Sequence, residues 1–476
     1  MEFYITEISK YLITLILALY TLECFLVFRY PNEEKRNGIY IRQTILMFLL
    51  HFSCFLVICF ETGELEYLFF YIFQQILLFA AIVLFHMLYP KGNRLIINNM
   101  CMLSGIGFII LTRLSYGKAV RQFFIVTVSM IVGMIIPYLI RKFRFLRKFM
   151  WVYATVGICA LGIVLTLGSV THGSKISFSV GGVTFQPSEF VKIIFVFFIA
   201  SALYEKNNFL RVCMSAVLAG LHVLILVVSK DLGSALIFFI VYVFMIYIAT
   251  GKGLYLLLGT FGGAGAAVVA YKIFAHVRVR VQAWRDPWSC IDDAGYQITQ
   301  SLFGISSGGW FGLGLYNGNP KSIPFVEEDF VFSAVAEELG IIFAICVILI
   351  CISCFIMIMN ISLKLEDKFY QLVAFGLGIT YIFQVFLTIG GGTKFIPMTG
   401  VTLPFVSYGG SSVLTTLIMF FIIEGLYIIR QDEGAKSVKK KKRKPRGGNN
   451  SRKPAESEYP KVEGEGAEAE PAEEDR

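Results

Sequence analysis

The chain has 476 residues, and at about 150 per domain length alone would give roughly three soluble domains. Composition excludes that: 56% of residues are hydrophobic and 16% charged, whereas soluble chains run near about 45–50% apolar and about 25% charged. The net charge of +9 falls mostly outside the tail, since the stretch from Gln431 onward holds 12 bases and 11 acids and leaves 30 bases against 22 acids before it. That modest excess fits bases beside a membrane and makes no case for nucleic-acid binding.

A hydrocarbon core near 30 Å needs about 20 apolar residues per helix. Thirteen runs qualify, near 9–28, 43–60, 68–88, 97–114, 120–140, 149–168, 187–204, 209–228, 232–250, 253–272, 332–358, 369–390 and 405–429. The first run lacks a basic flank and a small-residue cleavage site, so it is read as a retained span. Arg29, Lys35, Arg36 and Arg42 occupy one loop, Lys91 and Arg94 another, and Arg141, Lys142, Arg144, Arg147 and Lys148 a third. These are alternate loops, and the opposite set holds Glu61, Glu64 and Glu66, so the N-terminus is expected outside and the tail inside. Two long segments then face outward, about 169–186 and about 273–331. Nine cysteines lie in apolar runs and read as small buried hydrophobes; only Cys290 falls in a polar loop. The tail carries Lys439 to Lys444 and then an acidic Glu/Gly/Pro/Ala stretch, a composition that cannot bury a core. Its basic block is placed to hold anionic lipid or to dock a protein. No internal repeat of the transporter kind is present.

Ionisable groups within spans are functional candidates by default. Glu189 and Lys192 follow Pro187-Ser188, a helix start, and their i,i+3 spacing puts both on one face. The spacing fits a structural ion pair or a pair lining a polar cavity. In the second outward segment Arg278, Arg280, Trp284-Arg285-Asp286-Pro287 and a run of glycines lead to Glu327-Glu328-Asp329. Three adjacent acids repel, and partial burial adds to that, so one of them can have a raised pKa suited to a general base. A solvated acidic turn fits the same spacing. Glu337 and Glu338 lie about two turns farther into the next helix, where solvation is a poorer explanation. Gly312-Leu313-Gly314 sits between spans, not between a strand and a helix, so it is no nucleotide loop. The five histidines have no metal-ligand spacing. With no nucleotide motif, group transfer outside the membrane must use an already activated substrate, a need that a lipid diphosphate meets.

At these residues the chain resembles the SEDS family (shape, elongation, division and sporulation proteins; the FtsW/RodA group), bacterial enzymes that polymerise lipid II. The blocks that carry the resemblance are Phe185-Gln186-Pro187-Ser188-Glu189 with Lys192, and Asp231-Leu232-Gly233-Ser234-Ala235. They continue with Gly308-Gly309-Trp310-Phe311-Gly312-Leu313-Gly314-Leu315, Asp329-Phe330-Val331-Phe332, Glu337-Glu338-Leu339-Gly340 and the stretch from Pro397 to Ser412. They fall in family order across roughly 97–430. The resemblance implies an all-α polytopic membrane protein with a ten-helix core at 96–430, one large extracytoplasmic loop, an N-terminal extension of about three helices at 1–95, and a disordered tail at 431–476. The chain departs from the family pattern at Ile176-Ser177, Ser229-Lys230, Glu327-Glu328 and Lys394.

By the same resemblance the protein is a peptidoglycan glycosyltransferase of the bacterial cytoplasmic membrane, working on lipid II among membrane lipids with a class B penicillin-binding protein as partner. Asp329 is the implied base. It takes the proton from the acceptor GlcNAc 4-hydroxyl, whose oxygen displaces undecaprenyl diphosphate from the donor MurNAc with inversion. Arg280, Lys394 or a bound divalent cation, Mg or Mn, would match the diphosphate charge. Glu189, Lys192, Asp231 and Glu338 are expected to shape the cavity. The turn from Ser407 to Ser412, with Gly409, Gly410 and Ser411, would let the backbone approach substrate. A lipid II flippase and a non-catalytic division or elongation scaffold are the alternatives. A flippase needs polar groups through the full membrane depth, whereas here acids and cations gather toward one face.

Overall fold

The structure is a computed structural model that describes residues 2–30, 32–171, 174–180, 183–205 and 209–443. Three long helices open it: α1 (Glu2–Arg29), α2 (Glu33–Thr62) and α3 (Leu65–Leu88). The Asn32 side chain caps α2 by accepting from the Glu34 amide, and Gly63 ends it at φ 65°. Next come α4 (Arg94–Leu114), α5 (Tyr116–Gly133), its continuation α6 (Ile136–Lys142), and α7 (Met150–Leu167). Then follow α8 (Pro187–Leu203), α9 (Phe209–Val228), α10 (Leu232–Thr250), α11 (Gly253–Ile273), α12 (Ala275–Arg285) and α13 (Tyr296–Gly308), and finally α14 (Val331–Lys364), α15 (Lys368–Gly392) and α16 (Gly410–Arg443).

Twelve helices among the described residues are long and apolar enough to cross a membrane. The thirteenth expected run is α8, which at 17 residues is short for a span and holds Glu189 and Lys192 in its first two turns. Segment 169–186 is not irregular. Its alternating Ser, Val, Thr and Phe form an antiparallel three-stranded sheet, β1 (Ser169–Thr171), β2 (Ser174–Val180) and β3 (Val183–Phe185), with Phe178 paired to Phe185. It is the exception to an otherwise helical fold.

Residues Met1–Glu433 form one compact unit. The expected boundary near residue 95 therefore separates sequence blocks, not bodies. α4 is buried at every position from Leu95 to Thr112, wrapped by α2, α3, α5 and α14, while α1 lies along α2 and α14. A polar seam joins the extension to the core. Tyr20 donates to Asn99 Oδ1 at 2.9 Å, Asn99 Nδ2 donates to Ser353 Oγ at 2.8 Å, and Asn98 Nδ2 donates to Gln43 Oε1 at 3.2 Å. Hydrocarbon supplies no alternative partner to such groups, so each bond favours one register of α1 and α2 against α4. All ten cysteines are free, including Cys351 and Cys354, whose C-x-x-C spacing falls inside α14. Cys159 departs from expectation and is exposed on the outer side of α7. Of the tail expected to be disordered at 431–476, residues 431–443 instead continue helix α16, and the remainder lies outside the described residues.

The backbone of α14 is interrupted at Gly340, with φ 89° and ψ 166°. The glycine-rich loop after α13 repairs that break. Leu313 and Gly314 amides donate to the carbonyls of Glu337 and Glu338 at 3.0 and 2.9 Å, and the Ile341 amide donates back to Gly309 at 3.0 Å. The approach leaves no room for side chains: a Cβ on Gly312 would lie 2.2 Å from the Glu338 carbonyl oxygen, and one on Gly340 2.4 Å from the Gly312 nitrogen. The glycine run thus serves helix α14, a role its spacing did not reveal. At the far end of α16, Asp432 receives Lys91 at 2.6 Å and Arg141 at 3.0 Å. Two of the basic loops therefore meet at the opposite end of that helix from Gly410.

Candidate active site

A cavity of about 620 Å³ opens among the start of α8, the α9–α10 turn, α12, α13, the loop before α14 and the segment 391–412. Its acids are Glu189, Asp231, Glu328 and Asp329; its cations are Lys230 and Arg280. Gly409, Gly410 and Ser411 complete the wall that the SYGGSS turn was expected to supply.

Pro187 at the first position of α8 pre-sets the helical φ, and the preceding Gln186 amide donates to Ser411 Oγ at 2.9 Å. Asp231 caps α10 by accepting from the Ser234 amide at 3.0 Å, while its other oxygen accepts from Ser188 Oγ at 3.2 Å and Gln186 Nε2 at 3.3 Å. One carboxylate thereby fixes two helix starts on the same wall. Glu189 is buried with Lys192, whose Nζ lies 2.9 Å from Glu189 Oε2. The aligned hydrogen bond of Lys192 goes instead to Gln384 Oε1 at 2.8 Å, and Gln384 Nε2 donates to the Thr402 carbonyl at 3.1 Å. Lys192 is therefore set behind Glu189, bracing the 402–412 segment, and is absent from the cavity lining.

Asp329 is held by its backbone. Its amide and that of Glu328 both donate to the Phe325 carbonyl, at 3.2 and 3.0 Å. Ser407 Oγ donates to the Glu328 carbonyl at 2.5 Å, the Tyr408 amide donates to the Glu327 carbonyl at 2.7 Å, and the Glu327 carboxylate pairs with Lys118 of α5. The Asp329 carboxyl packs over Gly400, where a Cβ would lie 3.7 Å from Oδ2. Protein surrounds the carboxyl closely even though its face toward the cavity stays open. Burial pushes its pKa from 3.8 up to about 7, the neighbouring Glu328 charge pushes the same way, and Arg280 opposes them.

Besides Lys192, three more expected cavity residues lie elsewhere. Glu338 turns away into the bundle, where Arg113 of α4 donates to its Oε1 at 2.9 Å while stacking over Tyr316 at 4.2 Å. A carboxylate inside α14 needs a charge partner, and the end of α4 supplies it. Ser407 points into the fold to hold the Glu328 carbonyl and accept from the Leu403 amide at 2.9 Å. Lys394, at φ 59°, offers its carbonyl to Trp284 Nε1 at 3.2 Å, and its side chain is absent from the lining. The second cation of the wall is Lys230, which sequence reasoning recorded only as a departure. Gln384 had a readable signal, an amide deep inside an apolar run; Lys118 and Arg113 had none, since their partners lie more than 200 residues away. Among the described residues no group of three or more His, Cys, Asp or Glu is arranged to hold a metal ion.

The profile of the FtsW/RodA/SpoVE family, described as cell cycle proteins, matches residues 93–431. The peptidoglycan glycosyltransferase RodA of Mycobacterium tuberculosis (strain H37Rv) is 31% identical over 363 residues, covering 70% of this chain and 77% of its own length. The probable peptidoglycan glycosyltransferase FtsW of Bacillus subtilis (strain 168) is 31% identical over 322 residues, covering 63% and 78%. Among solved structures, one described as structural coordination of polymerization and crosslinking by a peptidoglycan synthase complex superposes with TM-score 0.62 at 23% identity, over 71% of this chain and 98% of that one. The rod shape determining protein RodA of Thermus thermophilus gives TM-score 0.55 at 21% identity, over 71% and 97%. At those identities the structures show the shared fold.

Proposed function

This chain belongs to the FtsW/RodA/SpoVE family of cell cycle proteins, and from that membership we propose that it is a peptidoglycan glycosyltransferase that polymerises lipid II on the outer face of the bacterial cytoplasmic membrane. The observation that carries the site assignment is Asp329: a carboxyl in a polar cavity, with a pKa near 7, beside Arg280. A base works best when its pKa lies near the operating pH. Asp329 takes the proton of the acceptor GlcNAc 4-hydroxyl. That oxygen forms the new bond to the anomeric carbon of the donor MurNAc as the bond from that carbon to the diphosphate oxygen breaks, and the α-linked donor becomes a β-1,4 glycan. The leaving electron pair stays on undecaprenyl diphosphate, whose charge Arg280 faces.

Orientation follows from the two ends of α16. Gly410 lines the cavity, and Asp432, about 33 Å farther along the helix, gathers Lys91 and Arg141 from basic loops. The positive-inside rule then supports a cytoplasmic tail, an outward cavity and an outward N-terminus. The partner is a class B penicillin-binding protein, which crosslinks the strands this chain makes; the similarity to a synthase complex that couples polymerisation and crosslinking supports it.

The test is purified protein incubated with labelled lipid II, with and without the cognate transpeptidase. Asp329→Asn keeps size but cannot accept a proton, and it should lower glycan synthesis by about 10²–10⁴-fold at normal folded levels. Wild-type synthesis by that variant would remove Asp329 from the mechanism.

A further inference from the structure

The helices before residue 93 lie outside the span that the family profile matches, yet one of them reaches the frame of the cavity. α5 packs against α4 and against α3 of that extension, while Phe124, Val128 and Ile131, each more than half exposed, turn its outer face to lipid. At the end of α5 nearer the cavity, Tyr116 rests on two rings of α3, with centroids 4.9 Å from Tyr67 and 5.4 Å from Phe70. Phe123 meets Phe70 edge-on at 5.7 Å. Phe70 is buried with Leu111 and Ala119 in a small apolar cluster of its own, and Tyr408 of the cavity wall packs against that same cluster. Another face of α5 carries polar contacts. Lys118 pairs with the Glu327 carboxylate and lies 5.4 Å from the centre of the Tyr408 ring. One turn farther, the buried Gln122 donates from Nε2 to the Ser407 carbonyl at 3.1 Å and accepts from the Gly409 amide at 3.3 Å through Oε1. Two side chains of α5 thus hold both backbone segments that frame Asp329. Glu327, a departure from the family pattern, finds its partner on the helix that the additional helices grip.

We propose that α3 of the extension belongs to the frame of the active site, with Tyr67 and Phe70 as positioning residues that set the tilt of α5 and, through Lys118 and Gln122, the place of Asp329 in the cavity. This rests on the polymerase reading and deepens it by giving the extension a part in the reaction. Hydrogen bonds place a backbone only as firmly as the helix that carries them is itself placed. A helix with one face in lipid takes its tilt and rotation from the helices packed against it. α4 supports α5 on one side, and the rings of α3 supply the second support, at the level of the cavity wall. Misplacing a reacting group by about 1 Å can cost about 100-fold in rate, so residues that touch no substrate can still govern turnover.

The test sets initial rates of lipid II polymerisation against melting temperatures for the full-length chain in nanodiscs with its transpeptidase. Tyr67→Ala combined with Phe70→Ala should lower kcat by about 10–100-fold. It should also move the acid limb of the rate profile to lower pH, because a loosened loop admits water to a carboxyl whose pKa burial raises. Phe70→Leu keeps most of the apolar volume and should keep most of the rate. Leu78→Ala, about two turns farther along α3 and packed over Gly105 of α4, should cost a comparable melting temperature and leave kcat and the pH profile as in wild type. Lys118→Met should lower kcat as the α3 variants do, and joining it to Phe70→Ala should cost less than the product of the two effects, since both act through α5. Equal rate losses in Phe70→Ala and Leu78→Ala, an acid limb that stays in place, or fully multiplicative effects of Lys118→Met and Phe70→Ala overturn the role of α3, while wild-type polymerisation keeps the parent reading. Failure of wild type to polymerise lipid II with its transpeptidase strikes the parent reading instead.

Discussion

If Asp329 is the base, the rate of lipid II polymerisation titrates with it. The carboxyl is active only without its proton, so activity should be full above about 7 and fall as pH drops through about 7. Glu328→Gln removes a like charge on the adjacent residue. For side chains roughly 6 Å apart at an effective dielectric of about 20 to 80, that repulsion is worth about 0.7–2.8 kcal/mol, or about 0.5 to 2 pH units. The acid limb of the rate profile should move down by that amount and no farther, because burial is the larger cause and persists. Arg280→Met should move it up, since the guanidinium favours the charged carboxylate. Initial rates with fluorescent lipid II between pH 5.5 and 9 read both shifts. A limb that stays put in both variants, or rises in Glu328→Gln, would refute the assignment. Stability runs the other way. The folded state holds a proton that the unfolded chain releases near 3.8, so this group's contribution to stability declines as pH climbs from about 4 to about 7. Asp329→Asn should therefore be more heat-resistant than wild type at pH 8 and no more so at pH 4.

Glu189→Ala leaves Lys192 buried and uncompensated at 4% side-chain exposure, which should lower stability by about 3–5 kcal/mol and activity with it. The swapped pair Glu189→Lys with Lys192→Glu should recover folding in a thermal melt but not turnover; full turnover would make the pair structural only. Gly340→Ala puts a side chain at φ 89° and against the Gly312 nitrogen, so it should destabilise by about 2–4 kcal/mol. A wild-type melt would mean that the α14 break is not maintained by the glycine loop. Topology is read by thiol labelling in a Cys290→Ser background. Asn317→Cys, on an exposed loop, should react with an impermeant reagent in intact spheroplasts, whereas Ser437→Cys should react only after lysis. The reverse pattern would put the cavity on the cytoplasmic side.

Hydropathy and the order of short blocks were legible in the chain itself. A span must be apolar over its own length wherever it packs, so twelve of the thirteen expected runs are helices long enough to cross, and the thirteenth is the shorter α8. Side-chain direction was another matter. Ser407 and Ser411 sit four residues apart in one turn, yet Ser411 lines the cavity and Ser407 faces inward to the Glu328 carbonyl, 79 residues away. Glu338 was readable as a buried acid but not as the partner of Arg113, 225 residues earlier. Lys394 and Lys230 look alike as outward lysines until α12 and the α9–α10 turn close around one space and leave only Lys230 facing it. Apolar burial is a property of each segment and is written locally. Which charge meets which depends on distances between helices far apart in the chain, and those exist only once the bundle has packed.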